Sequence, residues 1–271
     1  RRAGRDRSRG SVSRGLAVVT GASSGLGRAY AESLAARGHP LLVVARREDR
    51  LRELAAWARD RHGVGTVVVT ADLAREEGLA AARAALAAAP VPEVVVLNAG
   101  FGSRGRLWEL DPAREAEMVR LNCVAVVDLG ARVLPAMVAA RRGALVVVSS
   151  AAAWQPVPFM ATYAATKAFE LHWTEALAEE LRGTGVRAVA VCPGPTTTEF
   201  TLSGGGGSTY PGIPFDDPEM VVRATWRALA SGRRRAPTGV VARGSMLASR
   251  LLPRGLVLRA AAATHRERRR R

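Results

Sequence analysis

The sequence has little cysteine, and the placement of what it has argues against both disulfides and bound metal. Cys123 and Cys192 lie far apart in apolar runs, and no Cys-x-x-Cys spacing occurs. None of His39, His62 and His172 has a partner at the spacing of metal ligands. Two free thiols suit a reducing compartment. We therefore expect a cytoplasmic protein that holds no metal.

Long apolar runs and aromatic residues are also scarce. No uninterrupted apolar run reaches the roughly 20 residues that a membrane-spanning helix needs. Residues 1–14 are basic, but only a short apolar stretch separates them from a glycine-rich turn, so we expect no secretory leader. Aromatic residues make up 5% of the chain, so its core is expected to consist of valine, leucine and alanine. A length of 271 residues suits one α/β domain.

Acidic residues are scarce only at the two ends of the chain. Residues 1–15 carry six arginines and one aspartate, residues 233–271 carry twelve arginines and one glutamate, and residues 16–232 carry 22 basic and 22 acidic residues. The net charge of +16 therefore comes from the ends. Solvated tails are the simplest interpretation, and adhesion to anionic lipid or nucleic acid is the alternative. No aromatic residue interrupts the terminal arginine runs, so we expect no specific nucleic-acid partner, while contact with a membrane surface stays open.

Short strand-like runs alternate regularly with helical patterns. The predicted strands lie at 16–20, 41–45, 66–70, 94–98, 144–149 and 186–191, and the predicted helices near 26–37, 48–61, 74–88, 112–140, 161–182 and 217–231. The strand runs are rich in valine and leucine without polar alternation, which is typical of strands covered on both faces of a parallel sheet. The sequence therefore predicts an α/β protein with a doubly wound parallel sheet, a three-layer Rossmann fold.

Several segments depart from this alternation. Pro135 should bend the helix predicted over 112–140 or end it early. Residues 201–216 contain four consecutive glycines and two prolines, which predicts a loop. A last strand is expected near 238–241, and residues 244–264 are amphipathic around a proline, which favours a terminal pair of helices. The expected division is a basic tail over 1–14, one domain over 15–243 and a basic extension over 244–271.

A glycine-rich turn follows the first predicted strand and opens the first predicted helix. Because glycine has no side chain, a dinucleotide pyrophosphate can approach the backbone closely there. The free N–H groups at the start of a helix attract its phosphates. Position after the first strand is the context that such a site requires, although a simple tight turn would use similar residues. The expected contacts come from Gly21, Ser23, Ser24, Gly25, Leu26 and Gly27.

Two arginines at the end of the second predicted strand indicate which dinucleotide binds. An enzyme that selects NAD often has a carboxylate here for the ribose 2′-hydroxyl, and a carboxylate would repel the extra phosphate of NADP. This chain has Ala45 followed by Arg46 and Arg47, and arginine pairs well with phosphate. NADP(H) is therefore expected rather than NAD(H), unless both arginines merely begin a solvated helix.

Tyr163 and Lys167 form the strongest chemical signal in the sequence. Four residues apart on a helix, they share one face. A free phenol has a pKa near 10, and a neighbouring ammonium lowers it, so Tyr163 could exchange a proton near neutral pH. Lys167 is the only lysine among 40 basic residues. A chance lysine on the surface explains this spacing poorly, because the other 39 basic residues of the chain are all arginine.

Together the motifs Thr-Gly-x-x-x-Gly-x-Gly, Asn-Ala-Gly, Tyr-x-x-x-Lys and Pro-Gly-x-x-x-Thr resemble the short-chain dehydrogenase/reductase family in its single-domain form. They occur in the family's order between about residues 15 and 200. One departure is Leu97 before Asn98, where members of the family usually have a second asparagine.

The resemblance implies roles for further residues. Ser150 would hold and polarise the substrate oxygen, and Lys167 would also bind the nicotinamide ribose. Asn122 would orient a water that carries protons towards Lys167. Asp72 would accept a hydrogen bond from adenine, unless it serves only as a helix N-cap. The remaining expected cofactor contacts are Leu73, Asn98, Ala99, Gly100, Pro193, Gly194, Thr196 and Thr198.

The resulting expectation is an NADP(H)-dependent oxidoreductase that moves a hydride between nicotinamide and a carbonyl or secondary alcohol. Ser150, Gln155 and Tyr163 are expected to contact the substrate. The surrounding residues expected to line the site are mostly apolar, which favours an apolar ketone or an acyl or steroid-like compound. They are Phe101, Val157, Phe159, Met160, Phe200, Tyr210 and Phe215, several of them in the loop 201–216 or beside it.

Two other classes of function stay open on the sequence alone. One is a non-catalytic NADP(H) sensor, and the other is a protein that acts on membranes or nucleic acid through its arginine-rich tails. A homodimer or homotetramer formed through the helices 112–140 and 161–182 is what the family resemblance implies.

Overall fold

A single parallel sheet organises the part of the chain that the structure describes. The computed structural model describes residues 14–199 and 215–265, so most of the basic N-terminal tail, Phe200, residues 201–214 with Tyr210, and residues 266–271 lie outside it. The strands are β1 Ala17–Thr20, β2 Leu41–Ala45, β3 Thr66–Thr70, β4 Val94–Leu97, β5 Gly143–Val148, β6 Val186–Cys192 and β7 Arg235–Pro237. Their order is β3-β2-β1-β4-β5-β6-β7, which confirms the doubly wound Rossmann fold.

Helices cover both faces of this sheet. They are α1 Gly25–Ala35, α2 Glu48–His62, α3 Glu76–Ala88, α4 Pro112–Val119, α5 Ala125–Ala139, α6 Ala161–Glu180, α7 Pro218–Ala230, α8 Gly239–Leu251 and α9 Arg254–His265. One core cluster joins the sheet to α1, α2 and α7, and a second joins the opposite face to α3, α5 and α6. The switch in strand order falls between β1 and β4, where a crevice opens at the carboxyl ends of the strands.

The edge strand β3 departs from the expected burial. Its valine and threonine run predicted coverage on both faces, but β3 is only partly buried and Val67 is 55% exposed. Within the described ranges it pairs with β2 alone, so no neighbouring strand is seen there on its other edge. A continuous apolar run therefore overestimates burial at the margin of the sheet.

The long fourth helix does not end at its proline. It is instead divided by a π-helical segment at Arg120–Val124, and α5 then continues past Pro135 to Ala139. Because proline has no N–H group, the carbonyl of Ala131 has no helical donor at Pro135. Both residues are exposed, so water can donate a hydrogen bond to that carbonyl instead. Buried neighbours such as Val133 and Met137 hold the helix against the sheet.

The same region bears on the expectation that no apolar run is as long as a membrane-spanning helix. Among the described residues, the helical run Pro112–Ala139 is long and apolar enough to span a bilayer by length and composition. Isolated charges interrupt its apolar residues, which is why an uninterrupted run is not visible in the sequence. Of its most apolar window 39% is buried, and its inner face packs in the core.

The last strand lies earlier than expected, and the segment predicted as strand near 238–241 begins a helix. β7 ends at Pro237, and the hydroxyl of Thr238 donates a hydrogen bond to Asp216 Oδ2 at 3.3 Å. The expected pair of terminal helices is present as α8 and α9 on either side of Pro253. Because α8 begins at Gly239, it crosses the boundary expected between 243 and 244.

Candidate active site

The glycine-rich turn lies at the carboxyl end of β1, between the strand and α1. Gly21 has a φ of +67°, and a Cβ on it would lie 2.7 Å from Asn98 Nδ2 and 2.9 Å from Ala99 Cα. Conformation and space thus both exclude a side chain. At Gly27 a Cβ would lie 2.2 Å from the carbonyl oxygen of Gly21, so this residue lets α1 approach the turn. Ser24 precedes α1 without capping it, so its hydroxyl does not compete for the first amides of the helix.

Thr20 connects this turn to the Asn-Ala-Gly segment after β4. Its hydroxyl accepts hydrogen bonds from the backbone of Asn98 at 2.9 Å and of Ala99 at 3.1 Å. The Asn98 amide in turn donates to the carbonyl of Thr20 at 3.1 Å. Thr20 was not among the expected site residues, although it stands first in the motif. These bonds fix two neighbouring strand ends and thereby the floor of the crevice.

The two arginines after β2 have different surroundings. Arg46 is 61% exposed, with Nη1 3.9 Å from Asp72 Oδ2. Arg47 reaches into the glycine-rich turn, where Nη2 donates to Ser24 Oγ at 2.7 Å and to Ser23 Oγ at 3.1 Å. Both side chains line the crevice. Arg47 also directly precedes α2, so both expected roles, at the start of that helix and towards a phosphate, fit its position.

A carboxylate that the sequence did not single out occupies the same corner. Glu199 accepts from Arg47 Nη1 at 2.7 Å and from Arg50 through its other oxygen. These two bonds lower the pKa of Glu199 to about 2. Glu199 therefore provides an anion that holds both guanidinium groups in place.

Asp72 lines the crevice but does not cap a helix. Its Oδ1 accepts from the backbone of Ala74 at 3.1 Å, which closes a short turn, while α3 begins only at Glu76 after Arg75. The alternative role as N-cap of that helix is therefore wrong. Leu73 is buried beside it and also lines the crevice.

Ser150, Tyr163 and Lys167 meet at the bottom of the crevice. Ser150 follows β5, and the other two lie on the buried face of α6, 7% and 5% exposed. The Ser150 side chain hydrogen-bonds to Tyr163, and Lys167 Nζ lies 5.9 Å from the centre of the phenol ring. Ser149 donates to the backbone carbonyl of Lys167 at 2.7 Å, which makes it a structural residue. The neighbouring serines thus have separate roles.

Burial has the largest effect on the pKa of Tyr163. The positive charge of Lys167 and the hydrogen bond with Ser150 lower the pKa of the phenol, as the sequence led us to expect. Burial raises the pKa more strongly, and Glu170 adds to the rise, so the pKa of Tyr163 lies above its ordinary value. The expected net lowering is therefore wrong for this state of the protein, and Tyr163 is a phenol at neutral pH.

Lys167 is held on its far side by a buried carboxylate. Its Nζ donates to both oxygens of Glu170 at 2.9 Å and to the carbonyl of Val148 at 3.0 Å. Glu170 is 1% exposed and was missed by the sequence reasoning. Its position three residues after Lys167, on the same helical face, could have predicted the ion pair from the sequence.

Asn122 lies fully buried in the π-helical segment. Its amide nitrogen donates to the carbonyl of Phe101 and to Thr166 Oγ1, both at 3.0 Å, and its oxygen accepts from the backbone of Phe101 at 3.2 Å. The side chain therefore ties the loop after β4 to α6. A π-bulge at such a position is common near functional sites.

The Pro-Gly-x-x-x-Thr segment after β6 closes the opposite wall. The carbonyl of Pro193 accepts from the backbone of Ala151 at 2.7 Å, which links this segment to the strand end that carries Ser150. Asp216, another residue that the sequence did not single out, accepts from the backbone of Gly194 at 3.3 Å and forms an isolated bridge with Thr196. It thus connects the residues that follow β6 to those that precede α7.

The crevice has a volume of about 860 Å³ and gathers nearly all of the predicted site residues. Only Gly27 and Asn122 among them do not line it, and both act through the packing just described. Phe101, Gln155, Val157 and Met160 line the part next to Tyr163, whereas Phe159 and Phe215 do not. The side-chain oxygen of Gln155 is buried and has no hydrogen-bond partner within the described residues, which leaves it available to a ligand.

The C-terminal helices form a wall of the crevice that the sequence did not predict. The extension was expected to be a solvated basic tail with some amphipathic character. Instead α8 and α9 contribute small and apolar side chains, which are Ser245, Ala248, Leu252, Leu256, Val257, Ala260 and Ala261. Sequence periodicity reveals that such helices are amphipathic but not what their apolar face contacts.

Comparison with known proteins agrees with this geometry. Residues 15–204 match the family described as short chain dehydrogenase. The chain belongs to this family. Residues 15–204 therefore form a domain of the kind found in oxidoreductases that use a nicotinamide cofactor.

Individual relatives differ in substrate and cofactor. A very-long-chain 3-oxoacyl-CoA reductase of Pyricularia oryzae is 36% identical over 178 residues, 63% of this chain and 53% of that protein. This chain thus matches about half the length of that relative. A short-chain dehydrogenase from Sphingobium yanoikuyae in complex with NADPH has a TM-score of 0.78 at 31% identity, covering 94% and 98% of the two chains. One from Burkholderia phymatum in complex with NAD has a TM-score of 0.75 at 26% identity, covering 88% and 92%.

The crevice itself fits a nicotinamide dinucleotide. At one end, Gly21 leaves a space that a Cβ would fill, beside the first amides of α1, which suits a pyrophosphate. Arg46 and Arg47 border that end, where the adenosine would lie. At the other end are Tyr163 and Lys167. These residues would hold the cofactor along the carboxyl edge of the sheet.

Proposed function

We propose that this chain is an NADP(H)-dependent reductase of a long-chain 3-oxoacyl thioester. The observation that carries the proposal is the apolar wall of α8 and α9 in the same crevice as Tyr163. A steroid-like ketone is the alternative substrate with a similar apolar character. The printed name of the Pyricularia oryzae relative supports the acyl thioester.

The residues at the bottom of the crevice divide the work of ketone reduction. When bound, the nicotinamide supplies the hydride. Ser150 donates a hydrogen bond to the ketone oxygen and polarises it, and Tyr163 gives its phenolic proton to that oxygen as negative charge develops there. Because Tyr163 is protonated at neutral pH, it is ready to act as the acid. Lys167 stabilises the phenolate left behind and would bind the ribose.

The preference for NADP(H) rests on charge at the adenosine end. Arg46 and Arg47 offer two guanidinium groups there, and Ala45 leaves no carboxylate at the end of β2 to repel a 2′-phosphate. The exposed Arg46 is free to swing onto that phosphate. Arg47, already bound to Ser23 and Ser24, would contact it with little rearrangement.

A cation at the rim of the crevice supports a thioester substrate over a free ketone. Arg114 lines the crevice and stacks on Phe101, with its guanidinium carbon 3.8 Å from the ring centre. Coenzyme A carries phosphates that such a group can bind. Arg114→Ala should therefore raise KM for a 3-oxoacyl-CoA several-fold and leave KM for an uncharged β-keto ester unchanged. Equal effects on both substrates would exclude this role.

The central test is the proton donor. Tyr163→Phe should abolish NADPH oxidation by 3-oxoacyl thioesters while leaving NADPH binding intact. Tyr30→Phe is the matched control, because Tyr30 is fully buried against α7, where it bonds Thr225, away from the crevice. It should cost stability only. Undiminished turnover in Tyr163→Phe would exclude the mechanism.

The two competing classes of function are less well supported. A sensor that only binds the cofactor has no need of a serine hydrogen-bonded to a buried tyrosine. A tail-driven protein would lose its function on removal of the arginine-rich ends. Because α9 lines the crevice, that test requires truncation after His265 rather than within α9. We expect turnover to survive removal of residues 1–13 and 266–271.

Assembly and location remain proposals. The side chains of Val124 and Phe169 are 52% and 40% exposed next to α5 and on α6, which would suit a homodimer formed through those helices. Light scattering on the purified protein tests this, and a monomer would exclude it. The free cysteines Cys123 and Cys192 are compatible with the cytoplasm.

A further inference from the structure

The buried carboxylate of Glu170 has no role in the reaction as described so far. It stands one helical turn beyond Lys167 and does not line the crevice, whereas Lys167 does. Both of its oxygens accept from Lys167 Nζ at 2.9 Å. The ammonium therefore lies between the reacting phenol and a carboxyl group that becomes negatively charged as it ionises. Its third short contact is the carbonyl of Val148, so its direction is fixed.

We propose that Glu170 is a positioning residue that holds Lys167 from behind and balances its charge, so that Tyr163 stays protonated and the site favours carbonyl reduction over alcohol oxidation. The preference for reduction over oxidation rests on the proposed function. The balance of charge between Lys167 and Glu170 does not, because it concerns only residues of this chain.

Among the residues that the structure describes, Lys167 is the only charged partner of Glu170. Cys123 faces it from the π-helical segment and Cys192 from β6, and burial raises the pKa of Cys123 to about 11 and that of Cys192 further. Both thiols are therefore neutral around pH 7. Tyr163 faces it from the same helix. Because the carboxylate opposes part of the effect of the ammonium at the phenol, Lys167 stabilises a phenolate less than an isolated ammonium would.

The balance of charge has opposite effects on the two directions of reaction. Reduction of a ketone begins with the phenol, which transfers its proton to the oxygen of the carbonyl as the hydride reaches the carbon. Oxidation of the alcohol begins with the phenolate, which must take that proton back. A charge arrangement that disfavours the phenolate therefore slows oxidation near neutral pH and leaves reduction supplied with its acid.

The first test measures the ionisation of Tyr163 directly, without substrate or cofactor. The chain has three tyrosines, so the tyrosinate absorbance of Tyr163 is obtained by subtracting the Tyr163→Phe titration in each background. In Glu170→Gln the midpoint should fall by about one pH unit or more. Glu170→Asp, which keeps the charge, should stay nearer to the parent. An unmoved midpoint, or one that rises, would overturn the proposal.

A second measurement needs no substitution at Glu170 and so does not depend on that variant folding. Because Lys167 is the only lysine, a protein labelled with ¹³C-lysine gives a single side-chain resonance. Burial raises the pKa of Glu170 to about 7 against the opposing effect of Lys167. The Lys167 signal should therefore show an inflection near neutral pH as Glu170 ionises. A signal without inflection between about pH 5 and 9 would overturn the pairing.

Kinetics then separate this proposal from the proposed function. In Glu170→Gln the pH at which kcat for alcohol oxidation reaches half its maximum should fall with the tyrosinate midpoint, and kcat for oxidation at pH 7 should rise relative to kcat for reduction. Glu175→Gln is the matched control, a carboxylate on the same helix that pairs with Arg235 instead. It should leave both directions unchanged. If both titrations behave as expected but no 3-oxoacyl substrate turns over, the substrate proposal fails and the role of Glu170 stands.

Discussion

Replacing Gly21 by alanine tests the close approach at the cofactor turn against a matched glycine elsewhere. Gly21 and Gly63 share nearly the same left-handed backbone, with φ of +67° and +65°. They differ in space, because a Cβ on Gly63 meets nothing within 4 Å, while on Gly21 it meets Asn98 Nδ2 at 2.7 Å and Ala99 Cα at 2.9 Å. The conformation costs each alanine about 1–2 kcal/mol. Crowding should cost Gly21→Ala roughly 1–3 kcal/mol more.

The assay compares both variants by thermal unfolding and by NADPH fluorescence titration. Gly63→Ala should melt a few degrees lower and bind NADPH like the parent, since α2 ends far from the crevice at that residue. Gly21→Ala should lose about two to three times as much stability and bind NADPH at least tenfold more weakly, because Ala99 or the turn must move. If the two variants lost equal stability and both bound NADPH normally, the argument from space at this turn would be refuted.

Three further predictions concern charge. Replacing both Arg46 and Arg47 by aspartate should shift the kcat/KM preference from NADPH towards NADH by about tenfold or more, and an unchanged preference would exclude the phosphate role. Glu199→Gln should tighten NADPH binding several-fold at low salt by releasing Arg47 and Arg50, an effect that fades at high salt, and weaker binding in calorimetry would contradict it. The pKa of Glu170 is raised from 4.5 to about 7, so its contribution to stability is present below pH 4.5 and lost as the pH rises through 7. Relative to Glu170→Gln, the free energy of unfolding in urea should fall by about 3 kcal/mol between these values, and a constant difference would contradict the shift.

The sequence predicted the sheet and the chemical centre because both depend on local patterns. Valine-rich runs recur at each inner strand, and the spacing of Tyr163 and Lys167 fixes their shared face on any helix. The glycine turn was predictable for a similar reason, since its function requires absent side chains directly after β1. Such features need no knowledge of distant contacts.

The features that the sequence missed depend on contacts between distant parts of the chain. Pro135 was expected to disturb a helix, but its exposure at that position makes the lost hydrogen bond inexpensive. The partners of Glu199 lie about 150 residues earlier in the chain, so no spacing could indicate them. The wall formed by α8 and α9 likewise depends on where two amphipathic helices pack. Glu170 is the exception, because its distance of three residues from Lys167 was visible.

The solitary, buried lysine gives this protein an unusual chemical handle. In a chain with no other lysine side chain, amine-reactive reagents can modify only the terminal amine and Lys167, and Lys167 is 5% exposed and bound to Glu170. Acylation of that side chain therefore requires Lys167 to separate from Glu170. Its rate, followed by mass spectrometry, measures how often this buried ion pair opens, with the terminal amine of the same molecule as an internal standard.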